Sequence, residues 1–127
     1  MILPIDTALF PRKKGVYIVG GSIRDLIANR TPADYDMAVA RDPHQFARSL
    51  AARTGGHVVE IGKHGHTILR VIAHDVFFDI LPLNGGSIEE DLRRRDFTLN
   101  AMALDLASAI LIDPLNGRQD MSDGLVR

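Results

Sequence analysis

The sequence predicts an α/β fold (α+β in the stricter sense): a mixed, partly antiparallel sheet of about five strands with helices packed on it. Three observations lead there. Helix-like and strand-like runs interleave along the 127 residues. Strand-like runs cluster in the middle, from His57 to Leu81. The stretch from Tyr17 to Val39 reads as strand, glycine turn, helix and second strand.

The bulk composition sets the frame. Hydrophobic residues make up 46% and charged residues 24%, the balance of a globular domain, and the length suits one domain over residues 1–127 with one core. The chain has no cysteine, which excludes a disulfide scaffold and a thiolate metal site and fits a cytoplasmic protein. No apolar run has membrane-spanning length, and the Met1-Ile2-Leu3-Pro4 start does not resemble a signal peptide, so no membrane partner is expected. With a net charge of −1, no global positive field draws in nucleic acid, so an RNA partner needs a local patch or a further domain.

Taken in order, Ile5 to Phe10 suits a short helix stopped by Pro11, and Arg12, Lys13 and Lys14 suit a solvated turn. Tyr17-Ile18-Val19 is a β-prone run. Gly20 and Gly21 allow a sharp turn and close approach of a ligand to the backbone, and Ser22 suits the cap of a helix to about Ala28. Ile23, Leu26 and Ile27 give that helix its apolar stripe, and Asn29-Arg30-Thr31-Pro32 ends it. A strand follows over Tyr35 to Val39. Asp42 and Pro43 are the cap and first residue of a helix that buries Phe46, Leu50 and Ala51 and closes at Gly55-Gly56. His57 to Ile61, His66 to Ile72 and Asp75 to Leu81 read as strands, the last two joined by a tight turn at Ala73-His74. Pro82 to Gly86 is a loop, and Ile88 to Arg95 a short helix. Phe97 to Ala103 reads as a second short helix or the start of a strand. Ala109 to Asp113 is a last apolar run before a turn over Pro114 to Gly117, and Arg118 to Arg127 suits a short helix with an extended end.

Several residues in this frame suggest chemistry. A helix start beside a glycine turn attracts an anion, and Arg24 adds a charged fork one turn in. Asp34 and Asp36 alternate along an extended segment, so they share a face and repel unless a cation stands between them. Mg2+ is a hard cation held by one or two carboxylates plus substrate phosphates, and it suits such a pair. Asp79 sits inside the apolar run Val76 to Leu81. Either it faces solvent on an open side of the sheet, or it completes a three-carboxylate cluster with Asp34 and Asp36. Arg93 to Arg95 suit a solvated helix face, or the reach of one arginine to a phosphate. His64 and His66 suit a loop or strand edge better than a metal site, because no third ligand stands nearby in sequence.

At this point a resemblance is apparent. Gly20-Gly21-Ser22-Ile23-Arg24-Asp25, Asp34-Tyr35-Asp36 and Arg94-Arg95-Asp96-Phe97-Thr98-Leu99-Asn100-Ala101-Met102-Ala103 resemble the signatures of class II tRNA CCA-adding enzymes and bacterial poly(A) polymerases, of the polymerase-β-type nucleotidyltransferase superfamily. Ile112-Asp113-Pro114 through Gly117, and on to Arg127, is similar to the close of that family's head domain. The resemblance implies the polymerase-β-type head fold and the transfer of a nucleotide from ATP or CTP to an RNA 3′-hydroxyl with Mg2+. It implies that Asp34 and Asp36 bind metal and that Asp79 matches a third carboxylate. It implies that Gly21, Arg24 and Arg95 hold the nucleotide, and Gly20 and Ser22 of the same turn are expected to join them. The chain departs from the family pattern after Asp79. Only Pro82 to Ser87 stands where the family has a longer, arginine-containing loop, and no arginine follows Asp79 until Arg93. The family's base-reading, RNA-gripping helical region does not follow within these residues, so the chain is expected to be the head of a longer protein. A nucleotide-binding or regulatory module of the same fold without polymerising activity is the alternative.

Overall fold

A computed structural model describes residues 10–11, 13–63, 66–83, 87–94 and 101–124. Seven strands form one mixed sheet: β1 (Val16–Val19), β2 (Asp34–Val39), β3 (His57–Lys63), β4 (His66–Ala73), β5 (Val76–Pro82), β6 (Ala103–Asp105) and β7 (Ile110–Ile112). Their order is β3-β4-β5-β2-β1-β6-β7. The pair β2–β5 is parallel and the others are antiparallel. The mixed sheet is as expected, with more strands than about five, because the short β6 and β7 extend it beyond β1. The alternation of period two assigns each strand one face to each side of the sheet.

One face carries the main core. Helices α1 (Gly21–Ile27) and α2 (Pro43–Thr54) place Ile23, Leu26, Phe46, Ala47 and Leu50 in one cluster with Ile18, Met37, Val71, Phe78 and Ile80 of the strands. Asp42 caps α2 as its sequence suggests. Its carboxylate accepts from the Gln45 N–H at 3.1 Å, Pro43 takes the first turn, and Gly55 ends the helix in the left-handed region at φ 72°. Phe10 meets Tyr35 and Phe78 edge-on at 6.0 and 5.8 Å, and Tyr35 and Phe78 stack at 5.2 Å.

The other face is half covered. Helix α3 (Ile88–Arg93) lays Ile88 and Leu92 on Val19, Ala38, Ala101 and Ala103. Ser87 caps it, its hydroxyl accepting from the Glu90 N–H at 3.2 Å. Helix α4 (Gly117–Asp123) follows β7, and the Asp113 carboxylate accepts from the N–H groups of Gly117 and Arg118 at its start.

Two local expectations change and one open alternative is decided. The first helix starts at Gly21 with Gly20 as its cap residue, and Ser22 lies inside it. The hairpin between β4 and β5 turns at His74-Asp75, one residue later than Ala73-His74, with His74 at φ 54°. The Phe97 to Ala103 run ends in a strand, since Ala103 begins β6. Most of the helix expected over Ile5 to Phe10, together with Arg12, His64, all of Arg95 to Asn100 and the extended end Leu125 to Arg127, lies outside the described residues. Among the described residues no helix is long and apolar enough to cross a membrane.

Candidate active site

The site is built on a row of residues in register across the sheet. From one edge to the other it runs Val59, Arg70, Asp79, Asp36, Val19, Ala103 and Ile112, one residue from each strand. Residues opposite one another on neighbouring strands share a face, so all seven face the side on which α3 sits. The apolar members at the β6–β7 end lie beneath α3. Asp36 is exposed, while Asp79 and Arg70 are half-buried. Asp34 stands two residues before Asp36 on the same face, opposite Phe77 in register, and is exposed.

In strand register Asp79 is the cross-strand neighbour of Asp36. The structure also supplies a residue that sequence reasoning passed over. Arg70, directly opposite Asp79 on β4, donates from Nε to Oδ1 at 2.7 Å and from Nη2 to Oδ2 at 3.1 Å, a two-pronged pair. Its guanidinium also lies 4.9 Å from the centre of the Phe77 ring. The hydrogen bonds to Asp79 hold its pKa above the ordinary arginine value; burial opposes them, and the charges of Asp79, Asp34 and Asp36 add to the rise. Arg70 thus lies in the field of all three carboxylates. Among the described residues, no three His, Cys, Asp or Glu side chains form a group able to hold one metal ion.

The glycine turn comes to the same end of the sheet. Because β1 and β2 are antiparallel, Val19 at the close of β1 lies beside Asp36 near the start of β2, and Gly20-Gly21 follows at once. Gly20 adopts φ 72° and ψ −144°, a conformation open essentially to glycine alone. A Cβ on Gly21 would stand 3.6 Å from an Arg24 guanidinium nitrogen, so the glycine backbone and the arginine fork border one space. Ser22 is 3% exposed and its hydroxyl donates to the Val19 carbonyl at 2.9 Å, which ties the helix back to the strand end. Arg95 lies outside the described residues, in the connection between α3 and β6; Arg94, before it, ends α3. His64 is also outside them. A cleft of about 320 Å3 lined by Thr31, Tyr35, Thr54, His74 and Phe78 opens away from the carboxylates, since Tyr35 and Phe78 alternate with Asp34, Asp36 and Asp79.

The glycine–arginine turn, the two exposed carboxylates of β2 and the Asp79 carboxylate of its parallel neighbour thus lie at one end of the sheet. Comparison with known proteins decides the family. A family model described as the poly A polymerase head domain matches residues 16–84 and 82–127. The chain belongs to that family. Relatives of this head domain include an A-adding tRNA nucleotidyltransferase of Deinococcus radiodurans, 42% identical over 117 residues, covering 92% of this chain and 26% of the relative. A CC-adding tRNA nucleotidyltransferase of Halalkalibacterium halodurans is 40% identical over 111 residues, covering 87% of this chain and 28% of the relative. Among solved structures, a CCA-adding enzyme in complex with CTP superposes with TM-score 0.81 at 28% identity, covering 95% of this chain and 32% of that one. The head-domain chain thus spans about a quarter to a third of the length of the proteins it matches.

Proposed function

We propose that this chain is the catalytic head of a template-independent RNA nucleotidyltransferase. It transfers a nucleotide from ATP or CTP to an RNA 3′-hydroxyl, most simply that of a tRNA. The observation that carries this reading is the placement of Asp34 and Asp36 on one exposed face beside the Gly20-Gly21-Arg24 turn. The kinship to CC-adding and A-adding tRNA nucleotidyltransferases supports the reaction class and the tRNA acceptor. As most of those relatives' length lies outside this chain, the RNA contacts are assigned mainly to a further region of a longer protein.

The donor set fits Mg2+. Two hard, exposed carboxylates alternate on one strand, and phosphate oxygens and water would fill the remaining positions. Asp34 and Asp36 would hold it. When bound, Mg2+ neutralises the triphosphate and lowers the cost of presenting an attacking hydroxyl to it. The protein groups act by position. Gly20 and Gly21 let the triphosphate approach the backbone, and Arg24 offers a fork for its oxygens. Ser22 contributes through its backbone, because its hydroxyl is committed to Val19. Arg95 adds a second cation from the connection before β6. Asp79, next to Asp36, is the third carboxylate of the catalytic set.

The test is calorimetric titration of the chain with ATP and CTP, with and without Mg2+. Asp34→Ala and Asp36→Ala are each expected to weaken Mg2+-dependent binding by about tenfold or more, the scale of one unit charge removed from beside a divalent ion. Equal binding by both variants and the parent would refute the metal pair. The short Pro82 to Ser87 connection supports a second reading, a nucleotide-binding module without polymerising activity. Incorporation of labelled CMP or AMP into a tRNA trimmed at its 3′ end eliminates that reading; binding without incorporation favours it.

A further inference from the structure

We infer that Arg70 is a positioning residue for the site: its fork holds Asp79 as a fixed carboxylate outside the first coordination of a divalent ion, which Asp34 and Asp36 receive. The inference rests on the metal-pair reading above and goes beyond it by naming what keeps the third carboxylate out of the pair.

Four observations carry it. Both oxygens of Asp79 are engaged by Arg70, at 2.7 and 3.1 Å, so neither is turned toward Asp36 without breaking a charge-assisted bond. The pairing is dictated by strand register, since Arg70 and Asp79 are directly opposite on β4 and β5 while Asp79 and Asp36 are opposite on β5 and β2. Arg70 is held from a second side by the Phe77 ring at 4.9 Å, which limits its freedom to swing away. Last, Arg70 lies in the field of Asp34 and Asp36 as well as that of Asp79, so its charge acts on all three carboxylates. Without Arg70 the three carboxylates would carry three negative charges along two adjacent strands. A planar fork does what a lysine cannot, because an ammonium is a point charge and does not meet both oxygens in one plane.

The experiment measures Mn2+ binding to the chain by electron paramagnetic resonance in the absence of nucleotide, with circular dichroism to confirm that each variant is folded. In Arg70→Met, Asp79 is released to join the ion, and Mn2+ affinity is expected to rise about tenfold or more, since even a unit charge about 6 Å from a divalent ion gives about tenfold under water-like screening and a ligating carboxylate stands closer. The number of water molecules on bound Mn2+, read from proton relaxation, is expected to fall in that variant and to return to the parent value in the double variant Arg70→Met with Asp79→Asn. Arg70→Lys keeps the charge and loses the fork, so its Mn2+ affinity is expected to rise too, by less. An Arg70→Met affinity equal to or below that of the parent overturns the inference. So does an Arg70→Lys protein that matches the parent, since charge alone would then account for the effect. If the parent takes up no Mn2+, or Asp34→Ala and Asp36→Ala keep its affinity, the metal pair itself fails and the role of Arg70 falls with it. If those two variants lose Mn2+ while Arg70→Met matches the parent, only the role of Arg70 fails.

Discussion

At the scale of single residues, the two tyrosines of the chain report on the two faces of the sheet. Tyr17 lies on the α3 face, and its phenol is pushed above the ordinary value of 10.0 by burial first, then by the charges of Asp105 and Glu89. Tyr35 lies in the aromatic cluster with Phe10 and Phe78, and burial alone raises it from 10.0. In both cases the folded state favours the neutral phenol. The stability linked to these groups is therefore whole below the unfolded value near 10 and is lost as pH climbs through the higher folded values. A phenolate absorbance titration of the native protein is expected to lag behind the same titration in urea for both residues. Native and unfolded curves that overlie each other would rule this out. The carboxylates show what was legible residue by residue. Asp34 and Asp36 were readable because alternation alone puts them on one face. Arg70 was not, for one reason: placing the hairpin turn at Ala73-His74 sets Arg70 opposite Phe77. The turn at His74-Asp75 sets it opposite Asp79. A one-residue shift in a turn hid the Arg70–Asp79 ion pair.

Among the elements, those with explicit start and stop signals were legible and the shortest ones were not. Asp42-Pro43 and Gly55 bracket α2 as they stand in the sequence. By contrast, β6 and β7 are three residues each, too short to show a period, and they are strands because Val19 and Ala103 offer them partners. The Gly55-Gly56 pair looked like one signal and is two. Gly55 serves conformation: it sits at φ 72° with nothing within 4 Å of where a Cβ would be. Gly56 serves packing: a Cβ there would stand 2.4 Å from the Ile72 carbonyl oxygen and 3.0 Å from its carbon. Gly55→Ala is thus expected to cost about 1–2 kcal/mol, the penalty for an L-residue in the left-handed region. Gly56→Ala forces the β3–β4 backbone apart and is expected to cost about 3 kcal/mol, the upper end for overpacking, because backbone atoms cannot swing aside as side chains do. Urea unfolding of the two variants checks the ordering, and a Gly56→Ala protein more stable than Gly55→Ala would contradict it.

Over the whole molecule, the division of labour follows from the alternation of β2 and β5. Along each strand, residues aimed at the α1–α2 face build the core and residues aimed at the other face build the site, so neighbours in sequence serve opposite ends. Phe78 and Asp79 make the cleanest comparison. Phe78 is 1% exposed, stacked on Tyr35 and edge-on to Phe10, whereas Asp79 points to Arg70. If the sheet is a rigid partition, a change on one side alters stability and a change on the other alters binding. Phe78→Ala is expected to cost about 3–5 kcal/mol of stability, as for other buried phenylalanines. Yet below its lowered unfolding transition it should bind Mg2+ and triphosphate as the parent does, because Asp34, Asp36 and the Gly20-Gly21 turn hang on backbone pairing that the ring does not make. Asp36→Ala changes an exposed side chain outside the core, so its stability is expected to stay within about 0.5 kcal/mol of the parent while its Mg2+-dependent binding falls. Urea unfolding and calorimetry on the two variants measure both quantities at once. Loss of ligand affinity in folded Phe78→Ala would mean that the aromatic cluster sets the spacing of β2 and β5, and with it the distance between Asp36 and Asp79. The core and the site would then be one mechanical unit.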